Sequence, residues 1–344
     1  MEYTEYIDRN EYVILYRMHG SGAIAEVPAF IGGKPVRELA DHIFAAEPSV
    51  RYGKTEILQS PGAGPQTSGA DSQRGGTEHG AGQQEQAALC GEQIEIIRIP
   101  EGVEAIGNYA FYGCRSLREI HFPSTLRRIG SGMFNVCGNL SKLYFSLPPD
   151  AGEDATPAIM KEVLDAVSGE TEAVVLKEGR EQWSLLFPEY YEEGKENTPA
   201  RIIEIIYHGT GHQYRNCFLN RRIQFDRYDA VFPLAQAQES AQTDIRLIRN
   251  RLRSGPVPSE EYRERYIDYL RSESELLLDT ILDSRERDPV SELEVLDRSG
   301  FFTSTIIDEY IGKASGKGRP DAVSFLMNVK RERFRPARRD KYVL

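Results

Sequence analysis

The chain has 344 residues and a formal charge of −11, and 40% of its residues are hydrophobic and 28% charged. This length favours two or three structural units, and the acidic balance disfavours a nucleic-acid-binding protein, because phosphate contacts need a concentrated basic surface. No run of about 18 apolar residues, enough to span a bilayer, occurs in the chain. Because the N-terminal residues also lack the features of a secretion signal, we expect a cytoplasmic protein whose four cysteines stay reduced.

The charge is unevenly distributed along the chain. Residues 150–195 contain twelve acidic and four basic side chains, whereas residues 330–341 contain seven basic and two acidic ones. Such stretches are typical of solvated surfaces. A basic tail that docks on an acidic partner is the alternative interpretation.

The N-terminal residues predict a strand followed by a degenerate structural repeat. The apolar run Tyr12–Tyr16 is expected to form a capping strand of the kind that terminal repeats require. After Val27-Pro28, the glycines in Ile31-Gly32-Gly33 predict a turn. The spacing from Leu39 to Phe44 then equals a spacing found again in two clearer repeats further along the chain.

A low-complexity segment interrupts this repeat pattern. Residues 60–93 contain eight glycines and only one large aliphatic residue, Leu89. Such a composition buries too little apolar area to offset the loss of chain entropy. We therefore predict a disordered insertion over residues 59–93.

Two clear repeats follow, 23 residues apart. Residues 100–119 read PEGVEAIGNYAFYGCRSLRE and residues 123–142 read PSTLRRIGSGMFNVCGNLSK. Before each repeat, apolar residues alternate with polar ones, which predicts half-buried strands around Ile97 and Ile120. We expect the glycine of each repeat to permit a sharp turn. Cys114 and Cys137 occupy one column and are predicted to be core residues rather than metal ligands or a disulfide.

The string IPEGVEAIGNYAFYGCRSLREI resembles the BspA-like leucine-rich repeat, and EVPAFIGGKPVRELADHIFA is similar to the family's common first unit. The resemblance covers about residues 10–147. It implies a short solenoid built from stacked repeats that acts as a binding scaffold. Several members of the family are secreted or attached to the cell surface, so the resemblance keeps an adhesin-like role open as an alternative.

Residues 148–231 are predicted to form an α+β connecting segment. Apolar residues at helical spacing predict a helix over 157–167. The turn Gly209-Thr210-Gly211 is expected to join the strand-like run Ile202–Tyr207 to residues 214–219 as a β-hairpin. Five side chains of types that are enriched at binding hot spots are candidate partner-binding residues: Tyr190, Tyr191, Tyr214, Arg215 and Tyr228.

Residues 185–230 also support the alternative of an enzyme or a metal site. His208, His212 and Cys217 are potential zinc ligands, but a closed zinc site needs four ligands, usually at tighter spacings. The loop around Gly209 lacks the lysine and the third glycine of phosphate-binding motifs. A nucleophilic Cys217–His pair would need an orienting third group that nothing in the sequence marks. We therefore predict no catalytic residues, no metal and no cofactor.

Residues 232–334 have the apolar spacing of helices. Periodic positions predict helices over 233–252 and 263–281, the second capped by Ser259, and a shorter helix over 292–296. Residues 306–314 and 322–329 are predicted to form a last antiparallel helix pair, which weakly resembles an ankyrin repeat. The predicted fold class is therefore α+β: a short leucine-rich-repeat solenoid over 1–147, the connecting segment over 148–231, the helical domain over 232–334 and a basic tail over 335–344.

This organisation predicts a non-catalytic scaffold or adaptor. Repeat architectures create extended binding surfaces, so a concave repeat face and a helical module would bind one or more protein partners. Neither nucleic acid nor a membrane is an expected partner.

Overall fold

The computed structural model describes residues 3–46, 56–59, 88–197, 202–284 and 287–334. They belong to two compact units, Met1–Gln224 and Phe225–Leu344. The predicted boundary between residues 231 and 232 lies instead inside the first helix of the second unit. The predicted basic tail, residues 335–344, lies outside the described residues.

The first unit contains seventeen described strands and two α-helices. The strands are β1 (Tyr3–Asp8), β2 (Val13–His19), β3 (Ile24–Glu26), β4 (Phe30–Ile31), β5 (Lys34–Leu39), β6 (Glu56–Gln59), β7 (Ile96–Arg98), β8 (Ala105–Ile106), β9 (Glu119–Phe122), β10 (Arg128–Ile129), β11 (Lys142–Leu147), β12 (Thr171–Lys177), β13 (Arg180–Phe187), β14 (Tyr191–Asn197), β15 (Ile202–His208), β16 (Phe218–Leu219) and β17 (Arg222–Ile223). The helices are α1 (Met160–Asp165) and α2 (Gly211–Arg215).

Most of these strands belong to two sheets, and the chain passes from one sheet to the other within each repeat. The first sheet has the order β10-β8-β5-β2-β1-β6, with β4 paired to β5, and the second has the order β13-β12-β11-β9-β7-β3. Each repeat contributes one parallel strand to each sheet, so β7 and β9 pair in the second sheet and β8 and β10 pair in the first. The strands predicted around Ile97 and Ile120, and the turn at Gly32-Gly33 between β4 and β5, are present.

Side chains of one repeat type stack along the core. Phe44, Phe111 and Phe134 lie ring against ring, with centroids 5.9 and 5.7 Å apart. Cys114 is fully buried and Cys137 half-buried, and both thiols are free, as predicted for a core column. Stacking of this kind buries apolar area that a single repeat has no partner to cover.

The repeat glycines have a different role from the predicted one. Neither Gly107 nor Gly130 has the positive φ of a glycine-specific turn. Instead, a Cβ at Gly107 would overlap the backbone nitrogen of Asp41, and a Cβ at Gly130 would overlap that of Asn108. Glycine is needed there because the backbone of the preceding repeat approaches too closely for a side chain.

The predicted disordered insertion is too long at both ends. Gln59 lies in β6, which pairs with β1. At the other end, Leu89 is buried and its N–H donates to the Met18 carbonyl, while the N–H of Gly91 donates to the Phe44 carbonyl. A short 3₁₀ helix then covers Gly91–Gln93. The remaining part of the prediction, residues 60–87, lies outside the described residues.

The second sheet does not end with the recognisable repeats. β12 pairs with β11 in parallel register, Leu143 opposite Ala173 and Phe145 opposite Val175, and β13 follows antiparallel. Residues 171–187 therefore extend the repeat sheet rather than form part of a separate connecting segment. The apolar side chains of β11 need this neighbour because a sheet edge would leave them half-covered.

The second unit consists of helices over its described residues. They are α3 (Phe225–Gln238), α4 (Ala241–Arg253), α5 (Glu260–Ser272), α6 (Ser274–Leu282), α7 (Pro289–Arg298), α8 (Ser304–Gly316) and α9 (Pro320–Arg333). None of the described helices is long and apolar enough to cross a membrane.

Two of the predicted helices are each divided into two. The helix predicted over 233–252 is α3 plus α4, because the Ser240 hydroxyl accepts from the N–H of Thr243 and starts a new helix. The helix predicted over 263–281 is interrupted at Glu273 and forms α5 and α6. Apolar residues keep their helical spacing through both interruptions, so the sequence pattern did not reveal where the helices break.

Candidate binding surfaces

One row of side chains crosses the outward face of the second sheet on β3, β7, β9 and β11. The register places these residues directly opposite one another, and they are Glu26, Arg98, His121 and Tyr144. The last three are 23 residues apart, so the repeat itself aligns them. On β12 the same row continues as Val174, which is buried. The accessible part of the row is therefore confined to the repeats.

The contacts within this row occur in pairs. Arg98 and Glu26 form an exposed ion pair at 2.5 Å. The rings of His121 and Tyr144 lie parallel, with centroids 4.3 Å apart and an interplanar angle of 9°. Burial, and then the nearby Arg98 guanidinium, lower the pKa of His121, so its neutral form is favoured. The row thus presents a charged pair beside a neutral aromatic pair.

The sequence pattern marked Arg98 and His121 only as the polar positions of alternating strands. The signal that identifies them is the outward column of the repeat, which continues to Tyr144. A residue that faces outward from a repeated strand recurs at the same spacing as the core residues, and its chemistry is free to vary.

A groove of about 440 Å³ is also present on the first sheet. Its lining includes apolar residues, the repeat glycines Gly107 and Gly130, and the basic residues Arg9 and Arg128. At one end, Asp41 accepts from the Asn108 N–H at 2.6 Å, and Asn108 in turn accepts from the Ser131 N–H at 2.9 Å. These side chains join successive repeats, so their acceptor oxygens are already engaged.

A third surface is the hairpin formed by β14 and β15. Of the predicted partner-binding residues, Tyr191 lies here and is 60% exposed. Its ring stacks on His208 at 4.4 Å, and His208 Nε2 lies 2.8 Å from a Glu193 carboxylate oxygen. Tyr190 is half-buried directly before the hairpin, with its ring 6.3 Å from that of Tyr207.

The segment after this hairpin differs from the prediction. Instead of a Gly-rich turn between two strands, Gly209 and Gly211 lead from β15 into the short helix α2. Gly209 has a φ of +83°, which favours glycine. A Cβ at Gly211 would overlap the Pro188 carbonyl oxygen. The chain therefore turns back onto the end of β13, and β15 pairs with β14.

Two of the predicted partner-binding residues, Arg215 and Tyr214, are buried in the first unit instead of exposed. Arg215 is 2% exposed and donates to four backbone carbonyl oxygens, those of Leu164 (3.1 Å), Pro188 (2.6 Å), Gly211 (3.1 Å) and Gly169 (2.8 Å). Burial lowers its pKa to about 10. This guanidinium joins α1, α2 and the end of β13 instead of facing solvent.

Tyr228 is likewise a core residue, of the helical unit. Beside it in sequence, the buried Asp229 accepts from Arg251 at 2.8 and 2.9 Å and from the Tyr266 hydroxyl at 2.8 Å. Tyrosine is common both at interfaces and in cores, so the residue type alone did not distinguish a binding role from a core role.

A second buried charge cluster lies on α4 and α7 of this unit. Glu292 accepts from Arg249 at 2.8 Å and from Arg253 at 3.0 Å. Although burial acts to raise it, the pKa of Glu292 lies below its ordinary value because Arg249 and Arg253 surround it. The sequence pattern missed both clusters, since charged residues are normally assigned to solvated helix faces.

The side chains considered for catalysis have other partners. His212 stacks on Tyr207 with centroids 3.6 Å apart and bonds to Asn216, while His208 bonds to Glu193. Cys217 is buried and donates to the Gln213 carbonyl at 3.3 Å. Among the residues that the structure describes, no three His, Cys, Asp or Glu side chains are grouped to hold a metal ion.

Comparison with known proteins gives a family match for part of the chain. Residues 85–150 match the family model described as BspA type leucine rich repeat region (6 copies). No curated protein matches the chain.

Two solved structures are similar at low identity. One is a leucine rich cell surface protein from Faecalibacterium prausnitzii A2-165, with 15% identity and a TM-score of 0.26 over 50% of this chain and 41% of that one. The other is a leucine-rich repeat protein from T. pallidum, with 16% identity and a TM-score of 0.21 over 40% of this chain and 67% of that one. The chain thus spans less than half the length of the first of these proteins.

Proposed function

We propose that residues 85–150, a leucine-rich repeat region of the BspA type as their motifs predicted, belong to a non-catalytic scaffold that binds protein partners. In this proposal the repeats form a short solenoid, extended by residues 171–187. The observation that carries it is the aligned row of Arg98, His121 and Tyr144. Repeats that differ in their outward residues but share a core present such rows as binding surfaces.

The chemistry of the row fits a protein surface. Arginine and tyrosine are enriched at binding hot spots, where an aromatic ring supplies apolar area and a guanidinium supplies directed hydrogen bonds. The Arg98–Glu26 pair is exposed and therefore contributes little to stability, so its atoms are free to exchange partners. The neutral His121 ring adds a flat surface without a charge that must be desolvated.

The experiment compares variants of this row with matched variants elsewhere on the same repeats. Full-length protein carrying Arg98→Glu and Tyr144→Ala is used for affinity capture from source-cell lysate, followed by mass spectrometry. The controls are Arg115→Glu and Tyr112→Ala, which alter exposed side chains of the same types. We expect the controls to retain every specific partner of the wild type and the row variants to lose at least one. Identical partner sets for all variants would refute a role for this row.

The cytoplasmic location is part of the same proposal. The protein has four free thiols, two of them buried. Thiols stay reduced in the cytosol, so these support a reducing compartment. Fractionation of source cells tests this placement. Recovery at the cell surface would instead favour an adhesin-like use of the same binding row.

We extend the proposal to the helical unit, with α8 and α9 as an ankyrin-like pair that contributes a second binding surface. The two helices pack against each other, and Lys330 on α9 pairs with Asp308 on α8. Loss of a partner on replacement of the exposed Met327 on α9 by Ser would support this second surface. Retention of all partners would restrict binding to the repeats.

A further inference from the structure

We propose that the β14–β15 hairpin is a docking arm for a cationic, extended peptide segment, which adds to it as a third strand. This surface is separate from the repeat row and does not depend on the function proposed for that row. Over the described residues, β14 and β15 pair only with each other, so each strand has one edge without a neighbour. Edges with unpaired N–H and C=O groups are the surfaces on which a further strand forms.

The hairpin is unusually open for a pair of strands. Every residue from Tyr191 to Glu196 is exposed, and on β15 Ile205 is 52% and Tyr207 37% exposed. An isolated two-stranded hairpin is marginally stable in water. Apolar side chains on such a ribbon become buried only when another chain covers them. Burial of this apolar area would favour binding of a further strand.

The base of the hairpin is held in place, which pre-orders the arm. At this end Tyr191 lies opposite His208 and stacks on it, and Tyr207 stacks on His212 of α2. Arg215 fixes α2 to the end of β13 through the carbonyl of Pro188. A strand that docks on this arm therefore meets an ordered edge, which reduces the entropy lost on binding.

The charge of the hairpin identifies the kind of segment that fits. The described side chains include four carboxylates, on Glu192, Glu193, Glu196 and Glu204, against one ammonium group, on Lys195. Lys195 lies opposite Glu204 and 3.9 Å from Glu193, so it neutralises only part of this charge. A segment with lysine or arginine alternating with β-branched residues would complement both the carboxylates and the exposed Ile205 and Tyr207.

The same charge disfavours the hairpin of a second copy of this chain as the occupant. Pairing two such hairpins edge to edge would bring their glutamates together, and like charges across neighbouring strands are destabilising. Nucleic acid and anionic lipid are disfavoured for the same reason. The observations therefore favour a basic, extended segment rather than a second acidic hairpin.

The test measures peptide binding to the full-length protein by fluorescence anisotropy. The probe is a labelled peptide of alternating lysine and valine, and the comparison peptides are its glutamate–valine analogue and a form N-methylated at alternate residues. We expect the lysine peptide to bind and the glutamate peptide not to bind. N-methylation should weaken binding about tenfold or more, because it removes main-chain donors that a strand needs.

Protein variants separate this site from general attraction to an acidic protein. Glu192→Gln, Glu196→Gln and Glu204→Gln together should weaken binding of the lysine peptide, and so should Ile205→Ser. The matched control, Asp150→Asn with Glu153→Gln and Asp154→Asn, removes three exposed carboxylates of the same unit and should leave binding unchanged.

Three outcomes would overturn the proposal. They are the absence of binding, equal weakening by the control triple variant, and equal affinity for the N-methylated peptide. A dimer of the free protein that Ile205→Ser dissociates would also overturn it and assign the arm to self-association. Because the repeat row is intact in all these variants, the result is independent of the test on Arg98 and Tyr144.

Discussion

The thiol of Cys137 donates to the carbonyl oxygen of Phe111 at 3.1 Å, across the boundary between two repeats. Cys114 makes the equivalent bond to the Phe44 carbonyl at 3.5 Å. A thiol in this column therefore adds a weak hydrogen bond to a carbonyl of the previous repeat that also accepts from a backbone N–H, as well as filling space. This explains why the column contains cysteine, a residue that is small, apolar and still a weak donor.

These thiols should be unreactive in the folded protein. Burial raises the pKa of Cys114 to about 12 and that of Cys137 to about 11, so almost no thiolate is present at pH 8. We expect iodoacetamide at pH 8 to modify the half-buried Cys90 first, with Cys114 and Cys137 protected until the protein unfolds. Mass spectrometry of labelled peptides measures the order. Labelling of Cys114 as fast as that of Cys90 would contradict the buried column.

Replacement of the repeat glycine by alanine should destabilise the first unit. In Gly107→Ala the new methyl group would overlap the Asp41 backbone, and relief requires the two repeats to separate. We expect a loss of about 1–3 kcal/mol in the free energy of unfolding, measured by urea denaturation. The control is Gly138→Ala in the second clear repeat, where a Cβ meets no atom within 4 Å. Equal effects of the two substitutions would exclude the steric explanation.

Arg215→Lys should destabilise the same unit although it preserves the positive charge. A lysine cannot direct donors at four separate carbonyl oxygens in the way that the planar guanidinium does, so buried acceptors lose their bonds. We expect a loss of about 2–4 kcal/mol in the free energy of unfolding, at about 1–3 kcal/mol for each acceptor left unsatisfied and with partial compensation. Arg180→Lys, at an exposed position, should change it by less than about 0.5 kcal/mol.

The helical unit should show a pH dependence that originates from Asp244. Burial raises the pKa of this carboxyl from 3.8 to about 6, and the hydrogen bond from the Tyr269 hydroxyl offsets only part of the increase. The folded state therefore holds the proton more tightly than the unfolded state. This contribution to stability is complete below pH 3.8 and is lost as the pH rises to about 6.

The measurement compares wild type with Asp244→Asn between pH 4 and pH 7. A shift of about two units corresponds to about 3 kcal/mol, which the wild type should lose over this range relative to the variant. The difference between the two proteins isolates this residue from the other carboxyls, such as Glu292, whose pKa is lowered. Parallel stability curves for the two proteins would show that Asp244 titrates normally.

The sequence alone was sufficient to predict features that recur with a short, regular spacing along the chain. The 23-residue repeat predicted the strands around Ile97 and Ile120 and the cysteine column, because the same short-range pattern must recur wherever repeats stack. Helical spacing likewise located the apolar faces of the second unit. The family match over residues 85–150 agrees with the part of the chain in which this period is clearest.

Only the tertiary structure decided the contacts that join distant segments. Arg215 reaches the carbonyl of Leu164, 51 residues earlier, and no periodic pattern marks such a pair. Arg215, Tyr214 and Tyr228 were predicted from their residue types to bind a partner but are buried. The predicted Gly-rich hairpin turn is the start of a helix. The alternation of apolar and polar residues establishes that a strand forms, but only the packing of the whole unit determines which strand lies beside it and which face remains exposed.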